Sequence, residues 1–467
     1  MEATEPYLLE VLEGDLLTPI LIYQRISGKK KFLLESSLKH ENSGRYSFIG
    51  ADPVMELKGI DNRTVVISSK GEERIRDKPL EVLKSMMPKK RMEQDGPFPF
   101  FGGAVGYVGY DAIAQYEEIG LIPCDELDIP DVHLMFYEEV VVFDHYEQKV
   151  YLAATPLSNK TDRAQLNLKL EKRRNEIING MASDNQESAS LSAFASFVKK
   201  DEFIQKVKKA KEYIEKGDIF QVVLSQRLQA TIKGDPFSFY RKLRVQNPSP
   251  YMYFLDFGSY QIAGASPESL IKVNERRVTT NPIAGTRRRG KTNGEDRQLE
   301  MDLLKDEKEL AEHRMLLDLG RNDLGRVCEF GSIEIEKNMK IERFKHVIHL
   351  VSEVSGKLKN AYSPMDAFIS CLPAGTVSGA PKIRAMEIVY ELEQVKRGIY
   401  AGAVGYISAN GSLDFALAIR TMVIKDGKAY IQAGAGIVHD SIPEKEYEET
   451  LHKLSAFLEG QDDIADR

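Results

Sequence analysis

The sequence predicts an α+β protein in which strands and helices are mixed and the first half is dominated by antiparallel sheet. From Lys31 to about Ala154, short runs of β-branched, aromatic and aliphatic residues recur between Gly, Asn and Asp turns, with few long helices among them. Beyond residue 200, amphipathic stretches of 3.6-residue period alternate with further strand-like runs.

In chain order, KFLLES, RYSFIGA, ELKGI, TVVISS, EVVVFDH and KVYLAA supply the first strands. A charged stretch after Thr161 reads as a helix ending near Gly180, and the Ser-rich MASDNQESASLSA that follows has few apolar anchors. A boundary is therefore expected at about Asn185 to Ser196, dividing a domain of residues 1–190 from one of residues 191–467. Asp201 precedes a helix whose apolar Phe203, Val207, Ala210 and Ile214 keep the helical period until Gly217, and IFQVVLSQRLQA follows as a strand. In EKELAEHRMLLDLGRND, Glu309 and Glu312 lie three apart on an apolar-periodic helix, so both carboxylates leave one side of it. Near the end, Ser441 and Glu444 form a capping-box pattern around Pro443, opening a helix that carries Glu446 and Glu449 at the same spacing. GGAVGY at Gly102–Tyr107 returns as AGAVGY at Ala401–Tyr406, which permits either an ancient duplication or two sheets meeting in similar ways.

At 467 residues and 42% apolar content the chain can bury a large core, as two domains or one large intertwined one. Lys plus Arg number 64 against 71 Asp plus Glu, a net charge of -7, the opposite of a nucleic-acid footprint. Cys124, Cys328 and Cys371 are odd in number and far apart, so neither a disulfide framework nor a zinc knuckle is written, and a reducing compartment fits. MEATEPYLLEVLEGD lacks a charged-then-apolar leader pattern, and no apolar run approaches the roughly 18 residues that span a bilayer. A soluble cytoplasmic protein without nucleic-acid or membrane partners is expected.

Two helices each offering an acidic i, i+3 pair suit a hard cation such as Mg2+, although glutamates at this spacing equally make a solvated helix face. PAGTVSGAPKIRAMEIVYELE sets Gly375, Thr376, Ser378 and Gly379 before a helix with Pro381 in its first turn, either an anion-binding amide cluster or a simple cap. The Walker A spacing is missing, which disfavours nucleotides. AGAGIV at Ala433–Val438 reads as a second glycine turn, and Arg420 in AIRT could pair bidentately with a carboxylate. Of eight scattered histidines, His346 and His349 at i, i+3 are a metal pair or ordinary helix residues. No GxSxG elbow is present and no cysteine sits in a glycine elbow, so neither nucleophile class is encoded.

Taken together, SPESL, PIAGTRRRG, DEKELAEHRMLLDLGRNDLGRV, HVIHLVSEV, PAGTVSGAPK, YAGAVGY, AIRT, QAGAGIV and PEKEYEET resemble, in order and spacing over residues 197 to 460, the chorismate-utilising enzymes. That resemblance implies a layered α/β sandwich of two large, mainly antiparallel sheets flanked by helices. Within the family, water-adding members carry a lysine base where Gln221 stands, and a glutamine cannot deprotonate water at neutral pH. Aminodeoxychorismate synthases typically read PIKGT with a nucleophilic lysine, whereas Ala284 stands in PIAGT here. The pattern is similar to anthranilate synthase large subunits, which make anthranilate and pyruvate from chorismate and ammonia. An aminodeoxychorismate synthase large subunit and a catalytically silent tryptophan-binding regulator are the alternatives.

The resemblance further implies Mg2+ on Glu312 and Glu449, with Glu309 and Glu446 acting through bound water. It makes Glu268 the general acid for the departing C4 hydroxyl and His349 the candidate for removing the C2 proton. Arg420, Thr376 and the backbone of Gly434, Ala435 and Gly436 would hold substrate carboxylates, and Tyr400 would orient the enolpyruvyl group. A tryptophan inhibitor site is implied at Glu35 and Ser36 with Pro250, Tyr251, Met252, Val404 and Tyr406, the alternative being a packed domain interface. Ammonia would come from a separate glutamine amidotransferase subunit.

Overall fold

The computed structural model describes residues 7–36, 44–87, 96–157, 162–182, 187–345 and 347–458. The first half carries β1 (Leu8–Glu13), β2 (Phe32–Glu35), β3 (Tyr46–Gly50), β4 (Met55–Ile60), β5 (Arg63–Ser68), β6 (Gly71–Ile75), β7 (Gly103–Val108), β8 (Val132–Tyr137), β9 (Glu139–Asp144) and β10 (Lys149–Ala154). Its helices are α1 (Pro19–Arg25), α2 (Pro79–Met86) and α3 (Arg163–Asn179). Next come β11 (Ser190–Leu191), β12 (Ala195–Ser196), α4 (Lys200–Glu215), β13 (Gln221–Lys233), α5 (Pro236–Gln246), β14 (Tyr251–Asp256), β15 (Tyr260–Ser266), β16 (Ser269–Asn274), β17 (Arg277–Thr280) and β18 (Ile283–Arg288). The remainder is α6 (Asn293–Lys305), α7 (Glu307–Gly325), β19 (Glu334–Arg343), β20 (Val347–Lys357), α8 (Pro364–Cys371), α9 (Gly375–Ser378), β21 (Gly379–Ala380), α10 (Lys382–Glu393), β22 (Ala403–Ser408), β23 (Leu413–Leu417), β24 (Thr421–Lys425), β25 (Lys428–Ile437) and α11 (Pro443–Leu458).

These strands form two sheets of 13 and 12 strands, in the orders β1-β10-β9-β3-β2-β14-β15-β24-β25-β13-β11 and β18-β20-β17-β16-β23-β22-β7-β8-β4-β5-β6, with β12 and β21 also on β13 and β19 on β20. The halves occupy matching stations. β2 to β5 of the first correspond to β14 to β17 of the second, and β7 to β10 to β22 to β25, so each sheet is two copies meeting at β2·β14 or at β7·β22. The echoed hexapeptides form the second seam: Gly106 lies opposite Gly405, Val105 opposite Tyr406 and Tyr107 opposite Val404, the arrangement of a local two-fold. Of the two readings of that echo, internal duplication is the one the topology matches.

Both sheets cross residue 190, because strands from either side of it pair at each seam. The Ser-rich segment expected to separate domains adds β11 and β12 to β13, with residues 183–186 outside the described part. Strand alternation sorts the core into layers. Along β14, Met252 and Phe254 face a core shared with Leu33, Tyr23 and Tyr240 under α5, while Tyr253 and Leu255 face an aromatic core between the sheets with Phe32, Phe100, Val404 and Tyr406. The second sheet buries its other face, including Phe415, against α2 and α8 through Leu83 and Phe368. A further cluster joins α4 and α10 to β13 and β25 through Phe203, Met386, Leu224 and Ala435.

Several local expectations are corrected. AGAGIV is not a turn: Gly434, Ala435 and Gly436 run inside β25, paired with Ser225, Leu224 and Val223 of β13. These small residues have little strand propensity of their own, and a ladder from Val222 to Thr231 supplies the pairing instead. Ser441 does not cap α11 with Glu444; its hydroxyl accepts from Val438 N at 3.0 Å. α4 starts at Lys200, so Asp201 lies inside the first turn, where its charge complements the helix dipole. Pro381 is the N-cap of α10 rather than a first-turn residue. His349 belongs to a strand, not a helix, and His346 lies outside the described residues.

Candidate active site

α7 presents Glu309 and Glu312, and α11 presents Glu446 and Glu449, as the spacing required. The two helices bring their carboxylates into mutual electrostatic range. Glu312 is raised by burial and by the charges of Glu309 and Glu449, while Gln221 and Lys453 oppose the rise. Glu446 is likewise raised by burial and by Glu449, against the hydroxyl of Ser441 and the charges of Lys308 and Lys453. Each carboxylate has a partner in the protein. Gln221 Nε2 donates to Glu312 Oε1 at 2.7 Å, Arg287 Nη1 to Glu309 Oε1 at 2.9 Å, and Lys453 Nζ lies 2.8 Å from Glu449 Oε1. Among the described residues no three metal-ligating side chains already surround one point. The donor chemistry nevertheless fits a hard cation: all four are carboxylates, and two of them carry negative charge that burial and their neighbours make costly.

Glu268, just after β15, is buried and pushed up to about 8, chiefly by desolvation. Thr376 Oγ1 donates to its Oε1 at 2.9 Å, and both line a cavity with Thr280, Leu316, Gly320 and Asp323. A carboxyl so placed keeps its proton near neutral pH, as a general acid must. Thr376, expected on a substrate carboxylate, is thus found on the acid.

His349 in β20 faces Thr286 of β18. Its Nδ1 lies 3.2 Å from Gly285 O and 3.1 Å from Thr286 Oγ1, and its buried Nε2 has no partner among the described residues. Donation from Nδ1 to the carbonyl leaves the lone pair on Nε2. Burial and, next, the charge of Arg420 bring His349 down to about 4, so the ring is neutral through the physiological range.

Arg420 stands between β23 and β24 at φ 48, a left-handed conformation unusual for a side-chain-bearing residue. Its guanidinium is lowered by burial, and no carboxylate among the described residues pairs with it. A half-buried cation with no carboxylate against it among the described residues fits an anionic ligand. Tyr400 is buried nearby, since a Cβ added at Gly434 would lie 2.9 Å from its hydroxyl. A Cβ at Gly436 would meet Gln221 Nε2 at 2.6 Å. The glycines of β25 therefore provide close approach for two side chains rather than a change of direction.

Lys453 was not legible as a site residue. Its ammonium reaches Gly434 O at 2.9 Å and acts by its charge on Glu268, Glu312, His349 and Glu446. The only signal in the sequence was its position four residues after Glu449, which reads equally as an ordinary surface pair.

The residues expected around tryptophan fall into two sets. Glu35 of β2 and Met252 of β14 are directly opposed, and Glu35 Oε2 accepts from Tyr240 at 2.7 Å and from Arg244 at 2.8 Å. Tyr251 sends its hydroxyl to Asp414 Oδ1 at 3.1 Å, and Val404 and Tyr406 lie in the core between the sheets. Ser36 and Pro250 are half-buried at the ends of their strands.

A family profile described as chorismate binding enzyme matches residues 29–459. Anthranilate synthase component 1 of Acetivibrio thermocellus is 47% identical over 467 residues, covering 97% of this chain and 94% of that protein. Anthranilate synthase component 1 of Lactococcus lactis subsp. lactis (strain IL1403) is 44% identical, with coverages of 96% and 98%. Among solved structures, anthranilate synthase component I from Streptococcus pneumoniae TIGR4 superposes with a TM-score of 0.83 at 45% identity, covering 95% of this chain and 98% of that one. The menaquinone-specific isochorismate synthase of Escherichia coli, with a TM-score of 0.73 at 17% identity, shares the fold.

Proposed function

The chain belongs to the chorismate-binding enzymes, and within that family we propose that it works as an anthranilate synthase large subunit, converting chorismate and ammonia to anthranilate and pyruvate as the first step of tryptophan biosynthesis. The observation that carries this reading is the pairing of Gln221 with Glu312. Where water-adding relatives place a base, this chain has an amide that cannot take a proton, so the nucleophile must arrive with its own available lone pair, as ammonia does.

In the proposed reaction Arg420, Lys453 and the backbone of β25 hold the substrate carboxylates, with Tyr400 beside the enolpyruvyl group. Ammonia bonds to C2 of the ring, the double bonds shift, and the C4 hydroxyl leaves as water with the proton of Glu268. Hydroxide is a poor leaving group, and a carboxyl that stays protonated to about 8 removes that barrier. In the second step the C3–O bond breaks, the C2 proton passes to the free Nε2 of His349, the ring becomes aromatic, and the departing enolate takes a proton at its methylene carbon to become pyruvate. Glu312 and Glu449 would hold Mg2+ directly, and Glu309 and Glu446 through water. When bound, the ion supplies positive charge against the ring carboxylate.

We assign the ammonia supply to a separate glutamine amidotransferase subunit. Burial pushes the thiols of Cys328 to about 11 and Cys371 to about 12, which makes both inert as nucleophiles. Tryptophan is proposed as the feedback inhibitor at the Glu35 and Met252 seam, and the cytoplasm as the place of action. No helix among the described residues is long and apolar enough to cross a membrane.

Incubation with chorismate, Mg2+ and an ammonium salt tests the reading: anthranilate fluorescence should grow without an added lyase. A product that turns fluorescent only after a lyase is supplied would make the chain an aminodeoxychorismate synthase, and tryptophan binding without turnover would make it a silent regulator.

A further inference from the structure

We infer that Arg397 is a positioning residue of this reaction: its single buried guanidinium ties together the loop that carries Thr376, the strand that carries Gln221, and Tyr400, without touching the reacting atoms. The inference rests on the functional reading above. Arg397 lies just beyond the C-terminus of α10 and is 1% exposed. Its Nε and Nη2 make a bidentate pair with Glu393, at 2.9 Å to Oε2 and 2.6 Å to Oε1. The remaining contacts go outward, Nη1 to Val377 O at 2.7 Å and Nη2 to Val223 O at 2.6 Å. The guanidinium carbon sits 4.7 Å from the ring centre of Tyr110 and 5.7 Å from that of Tyr400.

The two outward contacts lie one or two residues from groups already placed in the site. Val377 follows Thr376, whose hydroxyl is on Glu268. Val223 lies opposite Gly436 and two residues from Gln221. Glu393 extends the grip on β13, since its Oε1 accepts from Ser225 N at 2.7 Å and Ser225 Oγ at 2.9 Å. Stability alone does not account for such a pair, because burying two charges costs about as much as their attraction returns, and apolar residues of the same volume commonly do as well. What the pair adds is fixed geometry. A planar fork can meet one carboxylate and two carbonyls in set directions, whereas a lysine ammonium on a flexible stem cannot. α9 is only four residues long and has no side-chain cap; Gly379 and Ala380 after it pair with Val222 and Gln221 of β13, and the bond from Arg397 to Val377 O adds a tie within the turn itself.

The experiment is Arg397→Lys in the full chain, once wild-type turnover has been established. An inactive wild type would overturn the functional reading, which is a different outcome from any below. Chorismate kinetics are measured across pH at fixed free ammonia, with thermal melting alongside. If Arg397 positions the loop, kcat falls ten- to hundredfold while KM for chorismate stays within about threefold. Loss of the Thr376 contact also removes a donor that favours the carboxylate of Glu268, so the alkaline limb of the kcat profile moves up. The other charged groups facing Glu268 are Lys453, by its charge, and Asp323 across the cavity, and Asp323 is paired with Lys382 at 2.7 Å. Arg397→Lys leaves them in place. Thr376→Val should move the limb the same way, and the double variant no further. The inference is overturned by a folded Arg397→Lys enzyme with the wild-type limb, by a loss of activity that only tracks loss of folded protein, or by a limb shift that adds to that of Thr376→Val. Should Arg397→Lys not fold, Glu393→Gln carries the same test: it keeps a neutral contact to the guanidinium, should shift the limb in the same direction by less, and overturns the inference if the limb stays.

Discussion

The amide of Gln221 is donated to Glu312 across 2.7 Å, while its own carbonyl oxygen is buried with no partner among the described residues. The donated bond favours the carboxylate form of a group that burial and neighbouring charge push the other way. In Gln221→Leu a proton should compete better for Glu312, and the Mg2+ concentration at half-maximal activity should rise about tenfold, the usual effect of losing a bond to a metal-binding side chain. Magnesium titration of turnover, with calorimetric titration of the ion alone, measures this. An unmoved midpoint would sink the metal role given to Glu312.

Glu268→Gln should cut kcat by about 10²- to 10⁴-fold, the range for losing a general acid. The same change should stabilise the fold in alkali. Glu268 is raised in the folded state from 4.5 to about 8, so its contribution to stability is whole below pH 4.5 and is lost as pH rises through about 8. A glutamine has no such loss, so melting at about pH 9 should occur a few degrees higher than in wild type, with little difference at about pH 4. A variant destabilised in alkali would contradict the buried acid.

At fixed free ammonia, kcat should follow a bell. Activity is lost above about 8 as Glu268 gives up its proton, and below about 4 as Nε2 of His349 gains one. Substitution His349→Ala should remove the acidic limb and leave the alkaline one. Retention of both limbs would exclude His349 from the proton-removing role.

Lys453→Met should raise KM for chorismate tenfold or more, because its ammonium acts by charge on Glu268, Glu312, His349 and Glu446 and would meet an anionic substrate there. Its side chain is half exposed, so the melting temperature should hardly change. A lower melting point with an unchanged KM would assign Lys453 to structure instead.

Tryptophan inhibition should weaken in Ser36→Phe and in Met252→Thr while turnover persists. Met252 is 1% exposed in the core under α5, so its replacement costs about 2 kcal/mol of stability as well. Ser36 is half-buried and should carry little of that penalty. Inhibition curves at matched chorismate check both, and unchanged curves in the two variants would remove tryptophan from the β2·β14 seam.

Strand periods in the first half were legible because their residues alternate and their turns are marked, and β2 to β5, β9 and β10 fall where KFLLES to KVYLAA placed them. The acidic pairs were legible as spacing on helices, and Glu268 through its SPE motif. Arg397, Lys453 and Arg287 were not, because an arginine or lysine reads as solvated until a carboxylate or carbonyl is folded against it. AGAGIV misled for a related reason: glycine-rich sequence signals freedom of the backbone, and only the partner strand shows that the freedom was spent on closeness to Tyr400 and Gln221. The left-handed Arg420 has no sequence signature at all.

The seam where Gly106 meets Gly405 joins strands about 300 residues apart. On a ribosome, β7 emerges long before β22 exists, so the first copy must wait with one edge of each sheet bare. Its partner in waiting would be any other exposed strand, including the same segment of a neighbouring nascent chain. Newly made protein should therefore be most prone to association in the interval between the two halves, and a truncation ending before Ala403 should be recovered aggregated rather than as a folded half.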